Sequence, residues 1–512
     1  MGVTGAAALV RSLVAHGVEL VFGIPGTHNL GIYAELGRHG VRHVSPRHEQ
    51  GAGFAADGYA RVTGRPGVCL TTSGPAILNA ATAAAQAYSD SVPVLLISPG
   101  EPLTHPGRGN GLLHEVRDQT AAMAAVTAGS HRVTSVEEIP VAVAQVFAEM
   151  SAGRPRPWHL EIPLDLIDAV ADVPVVEPVA VPVARPDVTE AFALLRDARR
   201  PGVIAGGGAK GAAAELAALG APVMLSANGK GILPADHPCF VGAGLQHAAE
   251  FVADCDVLLA VGTELAPADL WNGPLAVPGK LIRLDIDPVR AVTNARADVV
   301  LVGDAAATLG ALAGAVSVST VDRAAEWRAR VSARARAEGE RWLPILSALE
   351  GALGRDGILA ADSAMVCYYG ALANLPTYTP GSFLYPTGLG TLGYGLPAAI
   401  GAKLGRPSAR VAVLHGDGGI MFTVAELASA AALELPLPVV VVDNGGYGEI
   451  RAEMAERGDP PLGVDLPSPD FAALARSLGC HGVTVPDPEA LPALLTEAFA
   501  ANRPTVLHVA GA

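Results

Sequence analysis

The 512-residue sequence has little of what marks several protein classes. Its five cysteines are scattered, odd in number and without CxxC spacing: Cys69, Cys239, Cys255, Cys367 and Cys480. This pattern argues against a disulfide framework, so we expect reduced thiols and a cytoplasmic protein. Charged residues make up only 17% of the chain and half of it is hydrophobic, a balance typical of an enzyme with much buried surface rather than of a disordered protein.

Basic charge and long apolar runs are also lacking. The formal charge of −15 and the pI near 5.4 argue against nucleic acid or an anionic membrane as partner, because both attract basic patches. No apolar run approaches the roughly 18 residues needed to span a membrane. The first residues lack the basic start and apolar core of a signal peptide. We therefore expect neither a nucleic-acid nor a membrane partner.

Strand-like apolar runs alternate with helical segments along the chain, which favours an α/β fold built on parallel sheets. The length is too great for one compact core. A segment rich in Val and Pro at 172–186 and a charged helical connector at 321–338 divide the chain. We predict three doubly wound parallel-sheet domains, over residues 1–170, 187–320 and 340–512.

The most specific pattern is a pair of glycine-rich loops, each following an apolar run. They read GDGG at 416–419 and DNGG at 443–446, with a helical segment between them. Parallel strands joined by a crossover helix bring such loops together at the carboxyl edge of a sheet. Asp417 and Asn444 would supply oxygen ligands of the kind Mg²⁺ prefers, and the amides near Gly418 suit a diphosphate. An ordinary strand–helix–strand unit with a glycine turn is the alternative.

These loops resemble the GDG…NN motif of thiamine diphosphate (ThDP) enzymes. The resemblance implies that the metal ligands are Asp417, the side chain of Asn444 and the carbonyl of Gly446. One departure is Asp443, where the family has a first asparagine, and it leaves the ligand position intact. Further cofactor contacts implied in this region come from Gly416, Gly418, Gly419 and Tyr447.

A second set of motifs occupies residues 20–98. It consists of VFGIPG (21–26), RHEQGA (47–52), ADGYAR (56–61), TSGP (72–75) with Asn79, and AYSDSVP (87–93). This set resembles the pyrimidine-binding domain of the acetolactate synthase, pyruvate oxidase and 2-oxoacid decarboxylase family. Short motifs at 229–231, 236–238 and 285–288 are similar to that family's central domain. The resemblance therefore covers nearly the whole chain and implies three domains of the ThDP-dependent decarboxylase type.

Glu49 is the principal catalytic candidate. An isolated Glu at a helix start could simply favour the helix dipole. In the family, however, the matching glutamate hydrogen-bonds N1′ of the aminopyrimidine and so promotes removal of the thiazolium C2 proton, which needs a carboxylate at short range. By the same resemblance, cofactor contacts also come from Pro25, Gly74, Asn79, the Gly390 carbonyl and Leu392, the last as an apolar wedge between the two cofactor rings.

Family members place the pyrimidine domain of one subunit against the diphosphate domain of another. The resemblance therefore implies a homodimer or homotetramer with active sites shared between subunits. The middle block carries AGGGA at 205–209, which could cradle a nucleotide phosphate but lacks the full GxGxxG spacing. A tight turn is the favoured interpretation, and FAD is a possible but not favoured cofactor beside ThDP and Mg²⁺.

Two histidines bear on the reaction. Acetolactate synthases typically carry Phe-Gln-Glu where this chain has Leu113-His114-Glu115, and His28 lies in a loop where relatives place a polar catalytic group. Either histidine alone is more often structural, but the pair favours proton transfer at the substrate. The segment from Ser73 to Ala76 also departs from the second glycine usual in synthases, with no effect assigned. We expect non-oxidative decarboxylation of a 2-oxo acid to an aldehyde and CO₂, with acetolactate-synthase-like carboligation as the alternative.

The substrate expectation depends on three further segments. GTHNL (26–30), PRHEQ (46–50) and GYGEIR (446–451) together look most like 5-guanidino-2-oxopentanoate decarboxylases. Glu449 would then face the substrate cavity, where a carboxylate can form a forked pair with a guanidinium. An exposed Glu at a helix start explains the same residue equally well.

Overall fold

The computed structural model describes residues 2–107, 109–271 and 273–511. The chain divides into two compact units, Met1–Pro182 with Pro397–Pro407, and Val183–Leu396 with Ser408–Ala512. The first unit contains one six-stranded sheet and the second contains two. Every strand pair within these sheets is parallel. The prediction of an α/β protein with three parallel-sheet domains is confirmed.

The sheet of the first unit has the strand order β3-β2-β4-β5-β7-β6. Its strands, with the short antiparallel pair β1 and β8, are β1 Val3–Thr4, β2 Leu20–Gly23, β3 Arg42–Val44, β4 Gly67–Leu70, β5 Val94–Gly100, β6 Gly129–Arg132, β7 Trp158–Pro163 and β8 Val170–Ala171. The helices are α1 Gly5–Ala15, α2 Leu30–Arg38, α3 Glu49–Thr63, α4 Pro75–Asp90, α5 Gln119–Ala124, α6 Glu138–Ala152 and α7 Leu164–Ile167. β2, β4 and β5 are buried along their whole length, as expected of central parallel strands with both faces covered.

The first sheet of the second unit has the order β11-β10-β9-β12-β13-β14. Its strands are β9 Pro201–Ala205, β10 Val223–Leu225, β11 Phe240–Ala243, β12 Val257–Val261, β13 Lys280–Asp285 and β14 Val299–Val302. The accompanying helices are α8 Thr189–Asp197, α9 Ala213–Leu219, α10 Ala249–Asp254, α11 Pro267–Leu270 and α12 Ala305–Ala311. The predicted charged connector is α13, Val321–Glu338, and it buries a single face at Ala324, Trp327, Val331 and Ala335.

The other sheet of the second unit has the order β16-β15-β17-β18-β20-β19. Its strands are β15 Ile358–Ala361, β16 Phe383–Leu384, β17 Val411–Gly416, β18 Pro438–Asp443, β19 His481–Thr484 and β20 Thr505–Ala510. The helices are α14 Leu343–Leu353, α15 Leu372–Asn374, α17 Asp417–Ile420, α18 Glu426–Ala432, α19 Gly448–Arg457, α20 Phe471–Ser477 and α21 Leu491–Ala500. The helix α16, Gly395–Gly405, lies mostly in the segment Pro397–Pro407 that belongs to the first unit. β17 and β18 pair directly, so the loops that follow them lie side by side.

A buried ion cluster ties α3 to α4 in the first unit. The Arg61 guanidinium donates to Asp57 at 2.6 Å and to Asp90 at 2.7 Å, and these side chains are almost fully buried. Gln86 donates to the same Asp90 carboxylate at 2.8 Å. Burial of charges is tolerated here because each has an opposite charge and hydrogen bonds. The cluster fixes α3, the helix that begins with Glu49.

Among residues 2–107, 109–271 and 273–511, no helix combines the length and the apolar character required for crossing a membrane.

Glycines let two backbones of the first unit approach closely. A Cβ on Gly58 in α3 would lie 2.1 Å from the Ala398 carbonyl oxygen, and a Cβ on Gly401 in α16 would lie 1.8 Å from that of Ala55. Real Cβ atoms do not approach backbone oxygens so closely. Glycine is therefore required at both positions by helix packing.

Gly401→Ala should destabilise the protein despite the better helix propensity of alanine, because overpacking typically costs about 1–3 kcal/mol. The check is the midpoint of thermal unfolding, which should fall. The matched control is Gly351→Ala in α14, where no atom lies within 4 Å of the added Cβ, and the midpoint should stay or rise slightly. Equal midpoints for the two variants would contradict this packing argument.

Candidate active site

The candidate residues of the first unit lie on loops at the carboxyl edge of its sheet. β2 lies between β3 and β4 in this sheet. Pro25 and His28 follow β2, Ser73 and Gly74 follow β4, and Glu49 opens α3 after β3. This edge is where ligands bind in parallel α/β sheets.

Glu49 is half-buried and held in place by Asn79, whose side-chain amide donates to the carboxylate at 2.9 Å. The negative charge of Glu49 raises the pKa of two neighbouring groups. Burial first, and then the Glu49 charge, raise the pKa of Cys69 to about 12. Burial, Cys69 and Glu49 together raise the pKa of Tyr33. Glu49 is thus a half-buried carboxylate with an oriented side chain, as a group that exchanges a proton at short range requires.

His28, Ser73 and His114 form a hydrogen-bonded cluster. His28 Nδ1 lies 2.6 Å from the buried Ser73 hydroxyl, which lies 3.4 Å from His114 Nδ1. The two imidazole rings meet edge to face, with centroids 5.0 Å apart. Burial and the nearby His114 lower the pKa of His28. The structure therefore brings the two histidines together through Ser73, to which the sequence assigned no role.

Backbone geometry fixes this cluster. Gly74 has φ +63°, and a Cβ there would lie 2.3 Å from the His114 carbonyl oxygen. The Gly74 amide donates to the Gln119 side chain at 2.8 Å. His114 itself has φ +66°, a conformation uncommon for residues other than glycine. Such strain persists only where surrounding contacts impose it, and it commonly accompanies functional sites.

The loop that carries His114 is anchored by Glu115, which accepts the backbone amides of Asn110 at 3.2 Å and Gly111 at 2.8 Å. His105 lies between Glu101 and Glu115, at 3.1 and 3.3 Å. A cavity of about 270 Å³ opens beside this loop. Ser73 and His114 belong to its lining, so a small molecule in the cavity can contact the cluster.

In the second unit, three oxygen atoms converge after β17 and β18. The Asn444 amide oxygen lies 3.0 Å from the Gly446 carbonyl and 3.3 Å from the Asp417 carboxylate. All three atoms are acceptors, so no hydrogen separates them. With the Asn444 amide rotated, its nitrogen donates to both oxygens, and in either orientation the side chain lies beside both. The structure thus places Asp417, the Asn444 side chain and the Gly446 carbonyl next to one another, and their role as metal ligands stays a prediction.

Asp417 and Gly446 are locked together. The Gly446 amide, at φ +125°, donates to Asp417 at 2.7 Å. Burial and the neighbouring Asp443 raise the pKa of Asp417, although amide hydrogen bonds oppose the shift. A bound cation would offset the cost of this buried negative charge.

Asp443 makes structural contacts with three neighbouring groups. Its carboxylate lies 3.0 Å from His508 Nε2 and accepts the Ser468 hydroxyl at 2.7 Å and the Gly445 amide at 3.0 Å. Burial alone would raise its pKa, but the Ser468 and His508 contacts outweigh burial and lower it. The departure from the family's first asparagine therefore holds the loop that carries Asn444.

The glycines of the first loop make room for their neighbours. A Cβ on Gly418 would lie 2.9 Å from the Tyr447 ring, and one on Gly419 would lie 2.1 Å from the buried Asp362 carboxylate. Asp362 also lies 3.0 Å from His415 Nδ1. Gly416, the last residue of β17, precedes this turn. The predicted cofactor residues Gly416, Gly418, Gly419 and Tyr447 therefore lie together around Asp417.

Gly390 and Leu392 lie in the loop before α16. Gly390 is exposed with φ +68°, and Leu392 is half-buried. Asp362 holds the end of this loop by accepting the amides of Gly393 at 3.1 Å and Tyr394 at 2.8 Å. The same carboxylate thus orders both the loop with the predicted apolar wedge and the Gly419 turn.

Glu449 lies in the first turn of α19 and is half-buried. Its carboxylate accepts the Tyr369 hydroxyl at 2.7 Å. The simple interpretation as an exposed helix-start residue is therefore incomplete, because a partner from a distant segment holds the side chain. Sequence reasoning missed Tyr369, since 80 residues separate it from Glu449.

The glycine run at 205–209 is explained by backbone packing. A Cβ on Gly206 would lie 2.4 Å from the Gly262 carbonyl oxygen, and one on Gly208 would lie 2.8 Å from Gly262 Cα. The Gly208 amide donates to the Gly262 carbonyl at 3.0 Å. These contacts support the tight-turn interpretation of the segment.

Three family models match the chain. They describe the N-terminal TPP binding domain of thiamine pyrophosphate enzymes over residues 3–123, their central domain over 188–312 and their C-terminal TPP binding domain over 364–509. Thiamine pyrophosphate, or TPP, is another name for ThDP. Together these matches cover most of the chain.

Relatives match over nearly the full length. A "probable 2-ketoarginine decarboxylase AruI" of Pseudomonas aeruginosa is 44% identical, with 93% of this chain and 88% of the relative covered. A "probable acetolactate synthase large subunit" of Methanocaldococcus jannaschii is 32% identical, with 99% and 91% covered. The "acetolactate synthase isozyme 2 large subunit" of Escherichia coli is 35% identical, with 99% and 95% covered.

Proposed function

The chain belongs to the thiamine pyrophosphate enzyme family, and we propose that it catalyses the non-oxidative decarboxylation of a 2-oxo acid, 5-guanidino-2-oxopentanoate, to an aldehyde and CO₂. The relative named as a 2-ketoarginine decarboxylase supports this activity, because its identity of 44% exceeds the 32% and 35% of two acetolactate synthases. 2-Ketoarginine and 5-guanidino-2-oxopentanoate are the same compound.

The observation that carries this proposal is the cluster of His28, Ser73 and His114. An aldehyde product requires a proton at the carbon that loses CO₂, whereas carboligation requires a second carbonyl compound there. Two imidazoles linked through one hydroxyl can hold and relay such a proton. The lowered pKa of His28 makes its protonated form a readier donor. We assign His28 and His114 to this proton transfer and to substrate contact.

ThDP, when bound, supplies the electron sink that makes loss of CO₂ possible. We propose that Asp417, the Asn444 side chain and the Gly446 carbonyl hold Mg²⁺, which the three gathered oxygens support. Glu49 would face the pyrimidine ring, with Asn79 orienting its carboxylate. The remaining cofactor contacts would come from Pro25, Gly74, Gly390, Leu392, Gly416, Gly418, Gly419 and Tyr447. The reaction requires no flavin, and the proposal does not include one.

We further propose a homodimer or homotetramer with shared active sites. The support is membership of the thiamine pyrophosphate enzyme family, whose members place the pyrimidine domain of one subunit against the diphosphate domain of another. A cytoplasmic enzyme is proposed because all five cysteines are buried thiols.

Purified protein supplied with ThDP, Mg²⁺ and a panel of 2-oxo acids should release CO₂ and the corresponding aldehyde in equal amounts. 5-Guanidino-2-oxopentanoate should give a higher kcat/KM than pyruvate or benzoylformate. The measurement is CO₂ release with product identification by mass spectrometry. Accumulation of acetolactate from preferred pyruvate would replace this proposal with carboligation.

Asp417→Ala should weaken the joint binding of Mg²⁺ and ThDP by more than about 100-fold, because even residues behind metal ligands typically contribute 10–100-fold. Isothermal titration calorimetry measures this directly. Asp459→Ala is the control, since this exposed carboxylate pairs with Arg457 on the surface. Unchanged titration of Asp417→Ala would remove Asp417 from the metal site.

Glu49→Gln should retain the fold and most ThDP affinity while slowing C2–H exchange of the bound cofactor by about 10²–10⁴-fold, the usual contribution of a general acid–base group. NMR after acid quench measures this exchange independently of turnover. Glu19→Gln, at an exposed position, is the control. Wild-type exchange in Glu49→Gln would mean that another group activates the cofactor.

A further inference from the structure

A wide helical turn in the second unit places two tyrosine rings in contact. Residues Val366–Ala371 form a π-helical turn, a rare geometry that is frequent at functional sites. The neighbouring rings of Tyr368 and Tyr369 lie within it, with centroids 4.7 Å apart and planes at 69°. Both side chains are half-buried, so they remain partly accessible.

Trp271 contacts both tyrosine rings, and Trp271, Tyr368 and Tyr369 together are called the aromatic corner. Its ring lies 5.7 Å from Tyr368 at 78° and 5.5 Å from Tyr369 at 87°. The planes of the three rings are therefore close to perpendicular to one another. Aromatic cages bind organic cations through the faces of their rings.

The backbone conformation of Trp271 is energetically unfavourable. The residue has φ +54° at the end of α11, a conformation disfavoured for a bulky side chain, and 39% of it is exposed. An exposed indole on a strained backbone contributes little to core packing. Strain of this kind is typical of ligand clamps.

A carboxylate, that of Glu449, contacts the tyrosine hydroxyls. Tyr369 donates its hydroxyl to Glu449 at 2.7 Å. Burial first, and then Glu449, raise the pKa of both tyrosines, and Glu338 and Glu453 act on Tyr369 in the same direction. The hydroxyls therefore stay protonated and orient the carboxylate. A carboxylate has about four acceptor positions, so the hydrogen bonds from Tyr369 and Tyr368 leave capacity for a guanidinium.

The adjacent ring shows how this cluster accepts a guanidinium. Trp342 stacks on Tyr369, with planes at 3° and centroids 6.4 Å apart. The Arg341 guanidinium carbon lies 4.0 Å from the Trp342 centroid. One face of the Trp342 ring is thus covered by Arg341, and Trp342 does not belong to the aromatic corner.

Glu449 also lies beside the loop that gathers the metal ligands. A Cβ on the preceding Gly448 would lie 2.5 Å from the Asn444 side-chain nitrogen. The corner and Glu449 therefore stand next to the proposed Mg²⁺ ligands, where the far end of a bound 2-oxo acid can reach them.

We propose that Trp271, Tyr368 and Tyr369 form an aromatic cage that, with Glu449, binds the guanidinium tail of the substrate and determines specificity for a cationic 2-oxo acid. This inference rests on the proposed decarboxylation and deepens it. It assigns recognition of the substrate's guanidinium tail to aromatic rings that lie outside the predicted cofactor-binding residues. The flat guanidinium stacks on ring faces while its N–H groups pair with the carboxylate.

The test compares two substrates that differ only in charge, 5-guanidino-2-oxopentanoate and its neutral isostere 5-ureido-2-oxopentanoate. The wild type should favour the guanidino compound in kcat/KM by at least about tenfold. Trp271→Leu and Tyr368→Leu should each reduce that ratio about tenfold or more. Tyr378→Leu, which removes a ring stacked under Arg355 elsewhere in the unit, is the control and should leave the ratio unchanged.

Binding gives a second measurement that does not depend on turnover. The probe is 5-guanidinopentanoate, which lacks the reacting oxo group, titrated calorimetrically into ThDP- and Mg²⁺-loaded protein. Trp271→Leu should weaken its binding about tenfold or more, and Trp271→Phe, which keeps a ring, should weaken it less. Trp271→Phe also serves if the leucine variant fails to fold.

The possible outcomes distinguish failure of the proposed cage from failure of the proposed decarboxylation. A wild type that decarboxylates 2-oxo acids without preferring the guanidino compound overturns the cage and leaves the reaction. Cage variants that keep both the preference and the affinity for the probe overturn the cage as well. A protein that releases no CO₂ from any acid overturns the proposed reaction, and probe binding weakened by Trp271→Leu still supports the cation site.

Discussion

The second unit depends on the parallel pairing of β17 with β18, because this pairing brings the loops with Asp417, Asn444 and Gly446 side by side. The Asn444 side-chain amide lies 3.0 Å from the Gly446 carbonyl oxygen and 3.3 Å from the Asp417 carboxylate. Either an amide nitrogen turned toward these two acceptors or a cation between oxygen atoms satisfies the arrangement. The surrounding structure holds the arrangement in place, because Asp443 is fixed by His508 and Ser468, and Gly446 adopts a backbone angle that favours glycine. Parallel pairing of the two strands supplies the rest, since it fixes where both loops begin.

The first unit places its predicted catalytic residues, Glu49, His28 and His114, by two different structural means. Glu49 stands at the start of a helix that is buried along most of its length and tied by Arg61 to two carboxylates. The histidine pair instead depends on backbone strain, since His114 and Gly74 both have positive φ and their close approach excludes any side chain at Gly74. A rigid helix positions one group and a strained loop positions the others. Loops carry chemistry well when a sheet edge fixes their ends.

The sequence predicts the sheets and the proximity of the two glycine-rich loops well, because both depend on local patterns. Alternating strands and helices determine which loops share an edge, so Asp417 and Asn444 could be placed together from spacing alone. Contacts made by distant residues could not be predicted in this way. Ser73 bridges two histidines that lie 45 and 41 residues away, and Asp443 pairs with a histidine 65 residues further along the chain. The aromatic corner combines a π-helical turn, which has no clear sequence signal, with a tryptophan from another sheet domain.

Glu449 illustrates why sequence position alone leaves two interpretations open. A glutamate in the first turn of a helix gains from the helix dipole whether or not it binds anything, so local reasoning cannot separate the two roles. The Tyr369 hydroxyl changes this balance, because a surface helix-start residue has no need of a donor supplied by a π-helical turn. The same turn presents Tyr368 and Tyr369 to the strained and exposed Trp271. One rare backbone feature therefore orients the carboxylate and brings the rings together, as the proposed binding of a cationic substrate tail requires.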